Sequence, residues 1–166
     1  DNTTPGNCAG VYVRTKCWQA EDCSGNLSAI ECQTITVQDT TDPIIGASGA
    51  DATINCPSVP QFTAPTATDE CDTDPTVSEV SDNTTPSNCV GVYVRTKCWQ
   101  AEDCSGNLSA IECQTITVQD TTDPIIGLSG ADATINCPST PQFTAPTATD
   151  ECDTDPTVSE VSDNTT

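Results

Sequence analysis

The chain has 166 residues, and its 25 Asp and Glu against 4 Lys and Arg give a formal net charge of -21. Such a charge is repelled by phosphate backbones and anionic lipid, so the composition argues against nucleic-acid and membrane-surface binding. The chain also has no histidine, the usual general base near neutral pH and the commonest transition-metal ligand. No nucleophile and base stand together in the sequence, so we expect a protein that is not an enzyme.

Twelve cysteines accompany only 34% hydrophobic and 4% aromatic residues. A core this thin needs cross-links, and an even number of regularly spaced cysteines indicates a disulfide framework formed in an oxidising, extracellular compartment. The alternative, structural zinc, is disfavoured because no Cys-x2-Cys spacing occurs. No apolar run is long enough to span a bilayer, and with neither a starting Met nor a signal peptide the sequence is expected to be part of a longer secreted chain.

The sequence is an internal repeat. Shifted by 81 positions it overlays Cys8 on Cys89 and Trp18 on Trp99, and only four of the 85 aligned pairs differ. Polar turn residues and a proline follow a β-rich run at 37–43 and again at 118–124, the composition of a joint between domains. The predicted domains are therefore the back half of one repeat at 1–39, a complete repeat at 40–120 and the front half of another at 121–166.

The complete repeat alternates short strands with turns and shows no helical period. Its predicted strands, rich in Val, Ile, Thr and aromatic residues, are 52–56, 76–81, 90–101 and 109–118. The last two form a hairpin around 102–108, because Gly106 and Asn107 supply the positive φ of a tight turn. The predicted fold is an all-β sandwich.

Three motif segments, at 65–71, 99–107 and 115–124, resemble the hyalin repeat, and especially the related modules of bacterial surface proteins. The resemblance covers the whole 81-residue period. It implies tandem immunoglobulin-like β-sandwich repeats, stapled by disulfides, in secreted or cell-surface adhesins, including gliding adhesins exported by the type IX system. Such modules often have a Cys near their start, where this chain has Ile44, Ile45 and Gly46, so a usual inter-sheet bridge is expected to be replaced.

The immunoglobulin-like topology implies which cysteines share an end of the sandwich. It brings Cys71 and Cys104 to the end where the chain enters, and Cys56 and Cys89 to the opposite end, and we expect each two to pair. The hairpin register sets Cys98 opposite Cys113. The predicted disulfides are Cys56–Cys89, Cys71–Cys104, Cys98–Cys113 and, in the first half repeat, Cys17–Cys32. Cys8, Cys23, Cys137 and Cys152 would then need partners from an adjoining copy.

The same topology predicts convergence of carboxylates at the end where the chain enters. The candidate metal ligands are Asp39, Asp42, Asp69, Asp72, Asp74, Glu102 and Asp103. Ca²⁺ accepts six to eight oxygens in loose geometry and would relieve their repulsion, which would stiffen the joint. The alternative interpretation is that these side chains hydrogen-bond turn backbone or form a solvated face.

The sequence thus predicts the non-enzymatic stalk or fibre of a long extracellular adhesin or appendage, used for attachment, gliding or cell capture, with its own copies as partners. The alternative is a repeat that itself binds glycans or bundles with its copies through calcium. Tyr93 and Trp99 are expected in the core rather than on a sugar-binding platform. Lys97 is expected to pair with Glu112 across the hairpin.

Overall fold

The computed structural model describes residues 2–6 and 8–164, and within these ranges it contains strands and turns but no helix. The all-β prediction is therefore confirmed. The strands are β1 Asn2–Pro5, β2 Tyr12–Trp18, β3 Glu31–Val37, β4 Ile44–Ile45, β5 Ala52–Asn55, β6 Ala67–Thr68, β7 Thr76–Pro86, β8 Tyr93–Glu102, β9 Glu112–Gln119, β10 Ile125–Ile126 and β11 Ala148–Thr149.

Consistent with the absence of helix, the described residues include no helical segment with the length and apolarity needed to cross a membrane.

The largest sheet has four strands in the order β5-β9-β8-β7, and all four belong to the predicted repeat 40–120. Strand β5 runs parallel to β9, with Ala52 opposite Ile116 and Asn55 opposite Gln119. The four strands agree with the predicted segments, but β7 extends five residues further, to Pro86, and β8 and β9 each begin three residues later than predicted. A three-stranded sheet, β1-β2-β3, repeats part of this arrangement, and β4-β6 and β10-β11 are short antiparallel pairs.

The turn between β8 and β9 is held by the side chain of Asp103. Its Oδ1 accepts hydrogen bonds from the backbone N–H of Ser105 and Asn107, both at 2.8 Å, and its Oδ2 accepts one from Asn107 Nδ2 at 2.8 Å. Gly106 adopts a φ of 88°, which a residue with a side chain reaches only with strain. Asp22, Ser24, Gly25 and Asn26 form the same turn between β2 and β3. The local sequence is therefore sufficient to determine the hairpin turn.

The core lies against one face of the four-stranded sheet. On β9 the side chains of Gln114, Ile116 and Val118 alternate into the interior, and on β8 Trp99 and Ala101 are buried. This period-two burial is what a strand with one covered face requires. Of the aromatic pair predicted in the core, Trp99 is only 6% exposed and Tyr93 is partly buried.

Lys97 does not pair with Glu112, so that prediction is wrong. Its Nζ lies 2.8 Å from Glu79 Oε2 and 3.2 Å from Asp82 Oδ2, and it lies 5.6 Å from the centre of the Phe62 ring. The hydrogen bond to Glu79 is the largest reason that the pKa of Lys97 is raised. Strand β8 has β7 as its other neighbour, and the acids of that strand are within reach. Glu112 Oε1 instead accepts a hydrogen bond from Ser48 N at 3.2 Å.

The chain divides into two compact units, and each combines residues from two successive sequence repeats. Unit 1 consists of Asp1–Ala50, Phe62–Asp82 and Lys97–Gln114, and unit 2 consists of Asp51–Gln61, Asn83–Thr96 and Thr115–Thr166. Unit 1 therefore contains the predicted joint near residue 40, and unit 2 contains the one near residue 121.

Candidate functional site

Two disulfides close the hairpins, as the sequence predicts. Cys17 lies directly opposite Cys32 in the antiparallel register of β2 and β3, with their Cα atoms 4.1 Å apart. Cys98 and Cys113 are bonded in the same way between β8 and β9, with a Cα separation of 4.0 Å. Such short separations are typical of directly opposed residues whose side chains share one face of a ladder.

The two remaining disulfides correct the prediction. The pairs Cys56–Cys89 and Cys71–Cys104 are not formed; Cys56 is bonded to Cys152, and Cys104 is bonded to Cys8. The expectation that Cys8 and Cys152 need partners outside the chain is therefore also wrong.

The correction has a simple physical reason. Both long-range bonds join residues 96 positions apart, which is one period of 81 residues plus the 15 that separate Cys8 from Cys23 or Cys56 from Cys71. Each bond therefore runs from one repeat to the next. The predicted pairings matched cysteines within one repeat, whereas their partners belong to the repeat that follows or precedes along the chain.

Among the cysteines of the described residues, Cys23, Cys71, Cys89 and Cys137 are free. Each is the counterpart, 81 positions away, of a cysteine in a long-range bond. Three of the four free cysteines are also more exposed than their bonded counterparts. Cys8, Cys56 and Cys152 are buried in their bonds, but their counterparts Cys89 and Cys137 are exposed and Cys71 is only partly buried.

The Cys56–Cys152 bond lies in a small apolar cluster within unit 2. Cys56 and Cys152 pack there with Val118, and Ile54 and Tyr93 cover the group. Gly91 closes one side: its φ is 82°, and a Cβ at this position would lie 3.1 Å from the carbonyl oxygen of Cys152. The disulfide is therefore part of the core rather than a surface staple.

The Cys8–Cys104 bond is anchored in the β8–β9 turn within unit 1. The backbone N–H of Cys104 donates to Asp72 Oδ2 at 2.9 Å, and Ser105 Oγ donates to Cys8 Sγ at 3.2 Å. The side-chain amide of Asn107 donates to the carbonyl oxygen of Asp39 at 3.5 Å. The turn, the loop of Asp72 and the segment that leads into the repeat are thus connected around this disulfide.

Two of the predicted metal ligands come together. Carboxylate oxygens of Asp39 and Asp69 and the sulfur of Cys71 lie within 4.8 Å of one another. Asp39 is 8% exposed, and its Oδ2 has no hydrogen-bond partner. Asp69 Oδ1 accepts from the N–H of Cys71 at 2.8 Å and of Asp72 at 2.9 Å, so one of its oxygens holds a turn.

The other predicted ligands lie outside this cluster. Asp72 accepts backbone hydrogen bonds from Asp74 and Cys104, as the alternative interpretation expects, and Asp103 holds the hairpin turn. Burial opposes the ionisation of Asp103, but hydrogen bonds from Asn107, Ser105 and Gly106 outweigh it, so the pKa of Asp103 lies below its usual value. The remaining three, Asp42, Asp74 and Glu102, are exposed.

The surroundings of Cys71 disfavour ionisation of its thiol. Burial, followed by the negative charges of Asp39, Asp69, Glu70 and Asp103, raises the pKa of Cys71. A thiol is a nucleophile and a metal ligand only as thiolate. In the absence of a metal ion, Cys71 is therefore a weaker nucleophile near neutral pH than an ordinary exposed thiol.

A second group of potential ligands, Cys56, Asp120 and Cys152, is the same arrangement one period later. Asp120 corresponds to Asp39 and Cys152 to Cys71, but here the sulfur is already bonded to Cys56. In the second group the carboxylate therefore lies beside a formed disulfide, whereas Cys71 beside Asp39 is free. Sequence reasoning missed this because it treated each repeat alone, although the unpaired cysteines were the signal that could have revealed it.

Comparison of the chain with protein-family models, with curated proteins and with solved structures finds no match.

Proposed function

We propose that the chain is a non-enzymatic structural segment of the stalk or fibre of a long extracellular surface adhesin or appendage. Its units are tandem immunoglobulin-like β-sandwich repeats of 81 residues related to the hyalin repeat. In this proposal the repeats hold an adhesive region away from the cell for attachment, gliding or cell capture, and their partners are further copies of themselves.

The observation that carries this proposal is that the long-range disulfides join successive repeats rather than closing each one. Cys8–Cys104 connects the segment 1–39 to the repeat 40–120, and Cys56–Cys152 connects that repeat to the segment 121–166. A chain whose neighbouring units are bonded outside the backbone cannot lengthen by pulling the joints apart. That property is useful in a load-bearing cord.

Stretching single molecules between the two chain ends tests the proposal. Fully extended, 166 residues span roughly 550 Å. The overlapping bonds, each across 96 positions, are expected to stop the oxidised chain at less than about half of that length. After reduction with a thiol the same molecules should reach nearly the full length. Oxidised molecules that extend as far as reduced ones would contradict the load-bearing function.

The glycan-binding alternative would use the exposed aromatic face of β2, where Tyr12 and Trp18 line a shallow cavity of about 280 Å³. The counterpart of Trp18 in the complete repeat, Trp99, is buried, and Tyr93, like Tyr12, is partly buried. We therefore favour a structural role for these aromatic residues.

A calcium-dependent joint is the second candidate function, and one observation favours it. Asp39 is buried with an unpaired oxygen beside the carboxylate of Asp69, and one period later the buried Oδ2 of Asp150, the counterpart of Asp69, is also unpaired. Buried carboxylate oxygens without donors are suited to a hard cation such as Ca²⁺. Waters and backbone carbonyls would have to complete its coordination.

Thermal unfolding with Ca²⁺ and with a chelator tests this second function. Ca²⁺ at 100 times its dissociation constant should stabilise the chain by about 2.7 kcal/mol, or roughly 5–10 °C in Tm. The variant D39N should lose this shift. D42N is the matched control, since it removes the same charge three positions away at an exposed site. Equal shifts in all three proteins, or none in the parent chain, would exclude calcium binding at Asp39.

A further inference from the structure

The segment after the second joint contains a preformed groove of about 570 Å³, lined by residues 129–133, 135 and 141–144. Its walls are fixed by a backbone hydrogen bond from Gly130 N to Thr144 O at 3.1 Å. The counterpart of this bond in the complete repeat runs from Gly49 N to Thr63 O at 3.0 Å. The two places therefore share this backbone hydrogen bond.

In the complete repeat this groove is filled by Gln114 of β9. Gln114 Nε2 donates to Ala50 O at 2.9 Å, and Gln114 Oε1 accepts from Thr63 N at 2.9 Å. The side-chain amide lies so close to Gly49 that a Cβ there would be 2.7 Å from Nε2. Glycine at this position is therefore required for the glutamine to enter. The second groove also has glycine at the equivalent position, Gly130, where a Cβ would lie 3.1 Å from Thr144 Cβ.

Strand β3 carries the residues that fit the second groove. It has the sequence of β9 from Glu112 to Val118, so Gln33 is the counterpart of Gln114. In its own sheet, order β1-β2-β3, this strand has no neighbour on its outer edge among the described residues. Its face is open as well: Ile35 is 56% exposed, whereas its counterpart Ile116 is 3% exposed, and Trp18 is 55% exposed.

We propose that β3 of a second copy of this chain docks into the groove at 129–144, with Gln33 occupying the place that Gln114 fills in the complete repeat. Segment 133–136 would pair in parallel with β3 of the second copy, Ala133 opposite Ile35, as Ala52 pairs with Ile116. The inference rests on the proposed function and identifies the two surfaces through which successive copies would associate. In a longer chain the next repeat would supply the same strand.

This docking assigns a partner to every free cysteine. Shifting the two long-range bonds by one period pairs Cys89 with Cys23 of the second copy, and Cys137 with Cys71 of the second copy. Each bond forms when one thiol attacks oxidised glutathione, which releases one glutathione thiol and leaves a mixed disulfide. The second protein thiol then displaces the other glutathione. Two protein thiols are oxidised while one glutathione disulfide is reduced to two thiols.

The charge of the chain sets the conditions for the test. Each copy carries -21, so association is opposed at low ionic strength and the experiment requires at least about 0.15 M salt. Sedimentation velocity over a range of chain concentrations should then show head-to-tail oligomers. After oxidation with glutathione disulfide at pH 8.5, peptide mapping should find Cys89 linked to Cys23 and Cys137 linked to Cys71 between copies.

Two variants test the docking from its two sides. Q33A removes the side chain that fills the groove, and G130A places a methyl group where the glutamine amide enters. Each is expected to weaken association about tenfold or more, because a buried pair of hydrogen bonds is lost or obstructed. Q38A is the matched control. Its counterpart Gln119 remains exposed in the complete repeat, so this change should leave association unchanged.

Chains that stay monomeric in salt, oligomers unaffected by Q33A and G130A, or other cysteine pairings between copies would each overturn the inference. Far-UV circular dichroism of the variants establishes that the fold is retained. Stretching of single oxidised molecules does not depend on association. If association or the cysteine pairing between copies is not observed but the oxidised chain still stops at a short length, the docking inference is wrong and the load-bearing function still stands.

Discussion

Replacing Trp99 by alanine should destabilise the chain by about 3–5 kcal/mol, whereas the same replacement of Trp18 should cost less than about 1 kcal/mol. The two tryptophans occupy the same sequence context one period apart, so local propensity is equal at both positions. They differ in burial, because Trp99 is 6% and Trp18 is 55% exposed. The comparison therefore isolates the contribution of packing within the complete repeat.

The measurement is denaturant unfolding followed by fluorescence and by circular dichroism, at concentrations where the chain is monomeric. The chain has two tryptophans, so each variant retains a single emitter. In W18A the remaining Trp99 should emit at shorter wavelength in the folded state, and the emission should shift to the red on unfolding. Equal losses of unfolding free energy in the two variants would show that the sheet of repeat 40–120 does not form the main core.

Removing the Cys56–Cys152 disulfide by the double change C56A/C152A should cost about 4–5 kcal/mol of unfolding free energy. The bond spans 96 positions, and in the chain-entropy account a longer loop restricts the unfolded chain more. Alanine avoids placing a hydroxyl in the apolar cluster around Val118 and Ile54. The loss of that cluster's packing adds to the effect.

The control is C98A/C113A, which removes a bond across 15 positions and should cost about 3 kcal/mol. Both proteins lose one disulfide, so the comparison separates loop length from the number of cross-links. The unfolding free energies are compared from urea titrations without reductant. A larger loss in C98A/C113A would mean that hairpin geometry, rather than the connection between repeats, dominates the stability.

Local features of this fold were predictable from sequence, because they depend on residues close together in the chain. The turn of Asp103, Gly106 and Asn107 fixes the hairpin register, and that register sets Cys98 opposite Cys113. The strands β5, β8 and β9 agree with the prediction to within a few residues because alternating burial leaves a period-two pattern in Val, Ile and Thr.

The long-range bonds were not predictable in the same way. Cys71 and Cys152 have identical neighbours on both sides, so no local signal distinguishes a partner in the same repeat from one in the next. Lys97 shows a related difficulty. Its partner depends on which strand lies on the outer side of β8, and the sequence does not encode the lateral order of the strands.

Of the seven carboxylates predicted to converge, Asp39 and Asp69 lie close together, but the other five do not join them. Asp39 and Asp69 are close because the segment that leads into the repeat passes the loop before Cys71. Asp72 and Asp103 instead have backbone amides as partners, since Asp is the preferred residue for satisfying N–H groups in tight turns. Sequence alone does not show which use a given Asp serves.

The bonds between successive repeats also determine how the protein responds to proteases. The predicted joints near residues 40 and 121 have irregular backbone between strands, and proteases cleave such backbone more readily than paired strands. A cut at the first joint leaves both fragments attached through Cys8–Cys104, and a cut at the second leaves them attached through Cys56–Cys152. In the proposed fibre, a single cut at either of these joints would leave the chain continuous, and separation of the fragments would require reduction of the bridging disulfide as well as proteolysis.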